Sequence, residues 1–282
     1  MAAMEDFDTE EFVRRVLAED LGKGGDVTSK ATIDPDARFT TEMNARQAIN
    51  VAGLDIAAAF FRALDPKVEI EQLARDGDAV AHGATLMRLA GNAQAMLAAE
   101  RSALNTLQHL SGIATLTRQY VDAIAGTGAV LIDTRKTLPG LRVLEKYAVR
   151  MGGAQNHRMR LDDGVLIKDN HVAVCGGVAE AVRRGKAANT GLQVQVEVDR
   201  IDQIEPAVAA GADRLLLDNM DPAKLREAVR AVGGRVPLEA SGGVTLDTIR
   251  FLAETGVNFI SVGRITQSAP AVDIGLDYAL SR

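Results

Sequence analysis

The 282-residue sequence lacks tryptophan, has 4% aromatic residues and contains one cysteine, Cys175. A single cysteine excludes an intramolecular disulfide and a cysteine-rich metal centre, and we expect Cys175 to be a small core residue. No stretch approaches the roughly 18 apolar residues that a membrane-spanning helix needs. The N-terminal residues are acidic and lack an apolar core, so the sequence predicts no signal peptide and a cytoplasmic location.

The charge is unevenly distributed. The formal net charge is −6, which argues against a nucleic-acid or anionic-membrane partner. The segment Asp133–His171 nevertheless holds eight Lys and Arg residues against five Asp and Glu residues. A cationic segment in an acidic protein favours a small polyanion as its ligand.

Two short apolar runs, one directly before this segment at 129–132 and one within it at 165–167, are predicted to be buried strands. Polar and cationic side chains follow each run directly, so we expect them at the rim of a sheet. These are Thr134, Arg135, Lys136 and Lys168, with His157 and Arg158 between the two runs. The alternative is a solvated helix with scattered charges, which fits Arg142, Lys146 and Arg150 because they have helical spacing.

From residue 129 onwards, apolar strand patterns alternate with helical patterns. The candidate strands are 129–133, 165–168, 193–198, 214–218, 236–240 and 258–262, and the helices between the later strands are 201–210, 222–232 and 245–255. Alternating units of this kind predict a parallel sheet. Their compact, nearly constant spacing favours an incomplete (β/α) barrel, with a doubly wound open sheet as the alternative.

The first part of the chain has a mixed character. Residues 9–19 are predicted to form a helix that Thr9 can cap, and the glycines of Glu19–Ser29 predict a tight turn. Short alternating segments between residues 36 and 90 predict strands, with one helix at about 54–64.

A long helix is predicted at residues 93–125, because apolar residues recur there at helical spacing. The apolar stripe consists of Met96, Ala103, Leu107 and Leu110. Three polar residues, Arg101, Asn105 and Gln108, share a neighbouring face. This face is either a solvated surface or part of a site.

The later strands end in residues that suit a phosphorylated ligand. Glu197 and Asp218 each end an apolar strand, where an uncompensated carboxylate would be costly, so both need a cation or hydrogen-bond donors. Two glycine loops, 241–243 and 262–264, follow the last strands and could cradle phosphate through backbone N–H groups. Because Mg²⁺ prefers one or two carboxylates plus substrate oxygens, we expect a sugar phosphate with a metal-bound diphosphate. Salt bridges from the two acids to Lys136 or Lys168 are the alternative.

The chain resembles the quinolinate phosphoribosyltransferase family, also called nicotinate-nucleotide pyrophosphorylase (carboxylating). The motifs that carry the resemblance are ERSALNTLQHLSGIAT, DTRKTLPGLR, GGAQNHR, GVLIKDNH, EVD, LLLDNM, EASGGV and ISVGRITQSAP. The resemblance implies an N-terminal α/β sandwich-like domain over 1–112 and an incomplete (β/α) barrel over 113–269, with 270–282 packing on the first domain. It also implies phosphoribosyl transfer from phosphoribosyl pyrophosphate to quinolinate with loss of CO₂, a Mg²⁺ cofactor, and assembly as a dimer or hexamer.

The resemblance also assigns roles to individual residues. It implies a quinolinate pocket built from Arg135, His157, Arg158 and Lys168, with Arg101 reaching in from a partner subunit, and it makes Thr134 a further substrate-binding residue. Lys136 would act near the reacting centre, and Glu197 and Asp218 would hold the ribose hydroxyls and Mg²⁺-diphosphate. The residues expected to contact phosphate oxygens are Ser241, Gly242, Gly243, Val262, Gly263 and Arg264.

Three positions depart from the usual family pattern. Ala154 stands where a third glycine is common, and Arg264 and Gln267 replace alanine and histidine. Arg264 adds a charge beside the expected phosphate cradle. The alternatives considered are a phosphoribosyltransferase paralogue associated with molybdenum transport, nicotinate phosphoribosyltransferase, and a non-catalytic barrel that binds a sugar phosphate.

Overall fold

The computed structural model describes residues 7–278. Its helices are α1 Thr9–Leu21, α2 Val27–Thr32, α3 Leu54–Leu64, α4 Ala93–Ala123, α5 Arg142–Met151, α6 Asp169–Cys175, α7 Val178–Ala187, α8 Ile204–Ala209, α9 Pro222–Val232, α10 Leu246–Ala253 and α11 Arg264–Gln267. Its strands are β1 Arg38–Ala45, β2 Ile49–Asn50, β3 Glu69–Gln72, β4 Ala79–Val80, β5 Thr85–Asn92, β6 Val130–Ile132, β7 Val165–Ile167, β8 Val194–Val198, β9 Arg214–Asp218, β10 Leu238–Ser241, β11 Phe259–Ser261 and β12 Ile274–Tyr278. No helix in this part of the chain is long and apolar enough to cross a membrane.

The chain folds into two compact units. The first contains the residues up to Thr117, the segment Val143–Gly153 and the residues from Ser268 onwards. The second contains Arg118–Arg142 and Ala154–Gln267. Helix α4 runs without interruption from the first unit into the second.

An antiparallel sheet of order β12-β1-β5-β3 organises the first unit. Its core includes α3, whose apolar face is fully buried, and the rings of Phe60 and Phe12 meet with centroids 6.1 Å apart. The predicted stripe of α4 is buried as expected at Met96, Ala103, Leu107 and Leu110. The C-terminal strand β12 pairs with β1 in this sheet; residues 279–282 lie outside the described part.

The second unit is built on a parallel sheet of order β6-β11-β10-β9-β8-β7. Strands β7 to β11 follow one another in a single direction, without the reversal that a doubly wound sheet contains. The first strand, β6, pairs with the last, β11, and not with β7. This is the order of a (β/α) barrel that stays open between β6 and β7, and it confirms the predicted fold class.

Several local predictions need correction. The N-cap of α1 is Asp8, whose carboxylate accepts the Glu11 N–H at 2.9 Å, and not Thr9. The predicted turn at Glu19–Ser29 runs into a second helix, α2, which Asp26 caps. The predicted helix 201–210 is a 3₁₀ turn, Ile201–Gln203, followed by α8.

Two side-chain predictions are also wrong. The helix predicted around Arg142 exists as α5, but Lys146 is fully buried, as is its neighbour Glu145. Burial is possible for Glu145 because one oxygen lies 2.9 Å from His109 Nε2. Cys175, expected in the core, is partly exposed at the end of α6.

Candidate active site

The carboxyl ends of the six parallel strands carry most of the predicted site residues. In a parallel sheet these ends lie along one edge, which is where barrels bind their ligands. Following the strand order, they carry the residues 134–136 after β6, Gly263 after β11, Ser241 at the end of β10, Asp218 at the end of β9, Glu197 in β8 and Lys168 after β7. The fold therefore brings residues that are up to 129 positions apart to one edge.

Lysines and acids form one cluster at this edge. Lys168 Nζ lies 2.5 Å from Glu197 Oε2, so the salt bridge considered from the sequence is present. Burial and the negative charge of nearby Glu197 raise the pKa of the Asp218 carboxyl group, so Asp218 belongs to the same cluster. The positive charges of Lys168 and Lys136 oppose this rise. The cluster thus holds two acids that repel each other and two lysines that partly compensate for them.

Lys136 is held by its backbone while its side chain remains exposed. Its N–H donates to Thr134 Oγ1 at 3.0 Å, and its carbonyl accepts from Thr266 Oγ1 at 2.6 Å. A Cβ at Gly263 would lie 2.6 Å from Lys136 Cδ and 3.3 Å from Thr134 Oγ1. Gly263 is therefore needed for the close approach of the lysine side chain, in addition to any contact with phosphate.

The glycine loop after β10 has a similar steric role. Gly242 has φ 98°, and a Cβ there would overlap the side chain and backbone of Asn219. Asn219, itself at φ 53°, donates from Nδ2 to Asp218 Oδ2 at 2.6 Å. Gly242 thus leaves room for the residue that orients Asp218, whereas the Cβ position of Gly243 is open.

Two arginines form a second cationic group. Burial and the positive charge of Arg135 lower the pKa of Arg158, so the two guanidinium groups are close enough to repel. Arg158 Nη1 donates to the carbonyl of Gly164 at 2.8 Å. Arg135 Nε is a buried donor that has no hydrogen-bond acceptor within the part of the chain that the structure describes. A ligand with negatively charged oxygens would stabilise both groups.

The segment that carries His157 and Arg158 is attached to buried Asp133. Asn156 Nδ2 donates to Asp133 Oδ2 at 2.6 Å, and the His157 N–H donates to Asp133 Oδ1 at 2.7 Å. Asp133 is fully buried and directly follows β6. It supports the site from inside the sheet, a role that the sequence did not predict.

Glu239, in β10, was also missed as a site residue. It is fully buried, and Gln195 Nε2 donates to its Oε2 at 2.7 Å. Arg214 Nη2 and His157 Nε2 lie 2.9 and 3.5 Å from the same oxygen. Although burial opposes ionisation, the contacts with His157 and Arg214 lower the pKa of Glu239. The signal in the sequence was a carboxylate inside the apolar strand PLEAS.

The remaining predicted residues occupy varied positions. Arg101 is exposed on the part of α4 that belongs to the first unit. Val262 is buried, while Arg264 is exposed at the start of α11, as is Gln267 at its end. Ala154 is buried, so the protein accommodates the extra methyl group at this position.

The donor set suits a cation that binds through its substrate. The described residues contain no group of three or more His, Cys, Asp or Glu side chains that could hold a metal ion. Glu197 and Asp218 form a close carboxylate pair, and the raised pKa of Asp218 shows that a positive charge would relieve their repulsion. Two carboxylates with further oxygens supplied by a diphosphate match the coordination that Mg²⁺ prefers.

The chain is similar to known proteins in sequence and in fold. Residues 26–111 match the model of the quinolinate phosphoribosyl transferase N-terminal domain, and residues 113–277 match that of its C-terminal domain. The nicotinate-nucleotide pyrophosphorylase (carboxylating) of Mycobacterium leprae is 43% identical over 94% of this chain and 95% of its own length. The probable enzyme of the same name from Bacillus subtilis is 42% identical over 93% and 91% of the two chains. The structure of the nicotinate-nucleotide pyrophosphorylase of Francisella tularensis superposes with a TM-score of 0.92, at 39% identity and 97% and 98% coverage.

Proposed function

Since this chain belongs to the quinolinate phosphoribosyltransferase family, we propose that it transfers a phosphoribosyl group from phosphoribosyl pyrophosphate to quinolinate, with decarboxylation. The products are nicotinate mononucleotide, pyrophosphate and CO₂, in the synthesis of NAD. The enzyme is thus a decarboxylating pentosyltransferase that acts on small molecules.

The observation that carries the proposal is the pair of mutually repelling arginines, Arg135 and Arg158, beside the strand ends. Quinolinate has two adjacent carboxylates, and guanidinium groups bind carboxylates with paired hydrogen bonds. A dianion would offset the repulsion between the two guanidinium groups. A monocarboxylate would leave part of it uncompensated, so the arginine pair favours quinolinate over nicotinate.

The lysine and acid cluster suits the phosphoribosyl donor. Glu197 and Asp218 can accept hydrogen bonds from the ribose hydroxyls, and the exposed ammonium group of Lys136 can bind departing negative charge. The glycine loops around Ser241 and Gly263 offer backbone N–H groups to phosphate oxygens. We propose that Glu197 and Asp218 would also hold Mg²⁺, directly or through water, and that the ion would supply positive charge at the leaving pyrophosphate.

The reaction then follows from the positions of the two substrates. The arginine pocket orients the pyridine nitrogen towards the anomeric carbon, and the C–O bond to pyrophosphate breaks as the C–N bond forms. The ring nitrogen becomes cationic. The bond to the 2-carboxylate then breaks to release CO₂, and its electron pair stays on C2 next to the positive nitrogen. Protonation of C2 gives nicotinate mononucleotide.

We further propose that the protein assembles as a dimer or hexamer in which Arg101 completes the pocket of a partner subunit. The proposal is supported by the family resemblance and by the exposure of Arg101 on α4, a helix whose apolar stripe is otherwise buried. A cytoplasmic location is proposed from the sequence, and cell fractionation tests it.

The test of the activity is a two-product assay. The purified protein is mixed with quinolinate, phosphoribosyl pyrophosphate and Mg²⁺, and CO₂ and nicotinate mononucleotide are measured together. We expect both in equal amounts, and only when Mg²⁺ is present. Nucleotide formation from nicotinate instead of quinolinate, or binding of phosphoribosyl pyrophosphate without any product, would reject the proposal. The relatives named above do not favour the molybdenum-associated paralogue or a non-catalytic barrel.

A further inference from the structure

A buried carboxylate lies in contact with the segment that carries Arg158. Glu239 has no solvent exposure, and its strand β10 is paired on both sides, with β9 and with β11. Burying an ionised carboxylate is costly unless charge and hydrogen bonds compensate for it. Such a residue in the strand next to the glycine loop therefore needs an explanation.

Arg214 already supplies the compensating charge. Its Nη2 lies 2.9 Å from Glu239 Oε2, and its guanidinium group stacks on the Phe259 ring at 3.8 Å from the centroid. Gln195 adds a hydrogen bond of 2.7 Å to the same oxygen. His157 also takes part, because its Nε2 faces the same oxygen at 3.5 Å and this contact helps to lower the pKa of Glu239.

The hydrogen bonds determine the tautomer of His157. The backbone N–H of Arg158 lies 2.7 Å from His157 Nδ1 and can only donate a hydrogen bond. Nδ1 carries the lone pair as long as this contact is kept, and the ring proton is then on Nε2, the atom that faces Glu239. In this arrangement both ring nitrogens contact protein groups.

We propose that Glu239 is a positioning residue for quinolinate binding: it fixes the Nε2–H tautomer of His157, whose Nδ1 then holds the backbone of Arg158. This inference rests on the proposed function and revises one part of it. His157 serves as a link between Glu239 and Arg158, and not as a cationic ligand of the substrate carboxylate. Asp133 holds the same segment at the His157 N–H, so two buried carboxylates determine where Arg158 is placed next to Arg135.

Charge removal at Glu239 is the first step of the test. Glu239→Gln preserves the shape of the side chain but leaves Arg214 as a buried, unpaired cation, which can unfold the protein. The charge-balanced variant Glu239→Gln/Arg214→Met is therefore measured beside it. We expect the KM for quinolinate to rise about tenfold in both variants, with the KM for phosphoribosyl pyrophosphate unchanged.

A matched control separates positioning from general stability. Gln195→Met removes another buried contact with the same oxygen of Glu239 but does not touch His157. It should leave the KM for quinolinate unchanged. An equal rise in this control, or an equal rise in the KM values of both substrates in the Glu239 variants, would show that Glu239 only stabilises the fold.

Two further measurements test the route through His157. In a His157→Ala background, Glu239→Gln should have no additional effect on quinolinate binding, because its effect passes through the imidazole ring. His157→Asn, which can still accept a hydrogen bond from the Arg158 N–H, should bind quinolinate more tightly than His157→Ala. Additive effects in the first comparison, or equal affinities in the second, contradict the inference.

The tautomer itself is observed by ¹⁵N NMR of the imidazole nitrogens, with the His157 signals assigned by their loss in His157→Ala. We expect the Nε2–H form in the wild type and a mixture of forms in Glu239→Gln/Arg214→Met. This readout requires no substrate. A wild type that neither binds nor converts quinolinate would reject the proposed function, whereas an unchanged tautomer in the double variant would reject the role of Glu239.

Discussion

At the scale of single residues, Lys136 is constrained at three points although it is exposed. Thr266 holds its carbonyl at 2.6 Å, Thr134 accepts its N–H, and the missing side chain of Gly263 leaves space for its methylene groups. Its positive charge reaches Asp218, where it offsets part of the rise in pKa that burial and Glu197 cause. These contacts fix the backbone of Lys136 and leave room for its side chain beside Gly263. Under the proposed function, its ammonium group would stabilise negative charge in the transition state.

We therefore expect Lys136→Ala to reduce kcat by about 10²- to 10³-fold, because transition-state charge stabilisation is lost. The fold should be unaffected, since exposed substitutions usually change the free energy of unfolding by less than about 0.5 kcal/mol. Steady-state kinetics and thermal unfolding check both statements. Lys186→Ala is the matched control: this lysine pairs with Asp213 before the start of β9 and should be dispensable for turnover. Near-normal kcat in Lys136→Ala would remove Lys136 from the mechanism.

Asp218 connects the site to pH-dependent stability. Burial and Glu197 raise the pKa of Asp218 above its usual value of 3.8, so its ionised form is less favourable in the folded chain than in the unfolded chain. Ionisation of Asp218 therefore destabilises the fold: the penalty is absent below about pH 3.8, grows as the pH rises from 3.8 to the raised pKa, and is fully present above that pKa. The role proposed for Asp218 would explain why a carboxylate is retained there at a cost in stability.

The corresponding prediction uses a neutral replacement. Asp218→Asn should raise Tm at about pH 7, and the gain should shrink towards zero at about pH 4, while turnover is lost at both. Asp213→Asn is the opposite case, because the Val194 N–H and Lys186 overcome the effect of burial and lower the pKa of Asp213. Removing that charge should lower Tm at neutral pH. Differential scanning calorimetry at the two pH values measures the Tm of both variants. A Tm change in Asp218→Asn that does not depend on pH would contradict the argument.

At the scale of elements, α3 is capped by a residue that is distant in the sequence. Its N-cap is Gly53, at φ 101°, which has no side chain to accept hydrogen bonds. The carboxylate of Asp76 accepts from the N–H groups of Gly53 and Leu54 at 2.9 and 3.1 Å, and Tyr147 Oη donates to it at 2.6 Å. Asp76 thus stabilises the start of α3 and also contacts α5.

We expect Asp76→Ala to lower the free energy of unfolding by about 1–2 kcal/mol, since a helix cap and a partly buried hydrogen bond are both lost. Tyr147→Phe should lower the free energy of unfolding by less than Asp76→Ala does. The effects of the two substitutions should not be additive, because both remove the contact between Tyr147 and Asp76. Urea unfolding measures both effects. Asp78→Ala, in the same turn, is the control, because the side chain of Asp78 bonds only within its own turn, to the Arg75 N–H. Equal destabilisation by the two alanine variants would refute the capping role.

Local signals explain which elements and which site residues could be predicted. Helix α9 lies at the predicted residues 222–232, because Asp221 caps it, Pro222 begins it and Gly233 ends it. The strand-end residues, such as Lys168, were predictable because each follows an apolar run directly. The burial of Lys146 and the network around Glu239 were not, since they depend on residues that only the tertiary fold brings together, such as Gln195, which is 44 positions before Glu239.

At the scale of the whole molecule, the role proposed for Arg101 on α4 depends on assembly. Arg101 is exposed in the first unit, whereas the strand-end groups belong to the second unit. If sites are completed by a neighbouring subunit, two inactive variants with defects on opposite sides of one site can restore each other. If each chain forms its site alone, no mixture of the two can be active.

The test mixes Arg101→Ala with Lys136→Ala after co-expression with different affinity tags. Each variant alone should have little activity. A mixed dimer contains one site with both defects and one intact site, so random pairing should restore about a quarter of the wild-type activity. Mixing Lys136→Ala with Lys168→Ala is the control, because these residues belong to the same strand edge and no intact site can form. Activity in the control, or none in the Arg101 mixture although tandem purification shows mixed assemblies, would mean that Arg101 does not act across a subunit boundary.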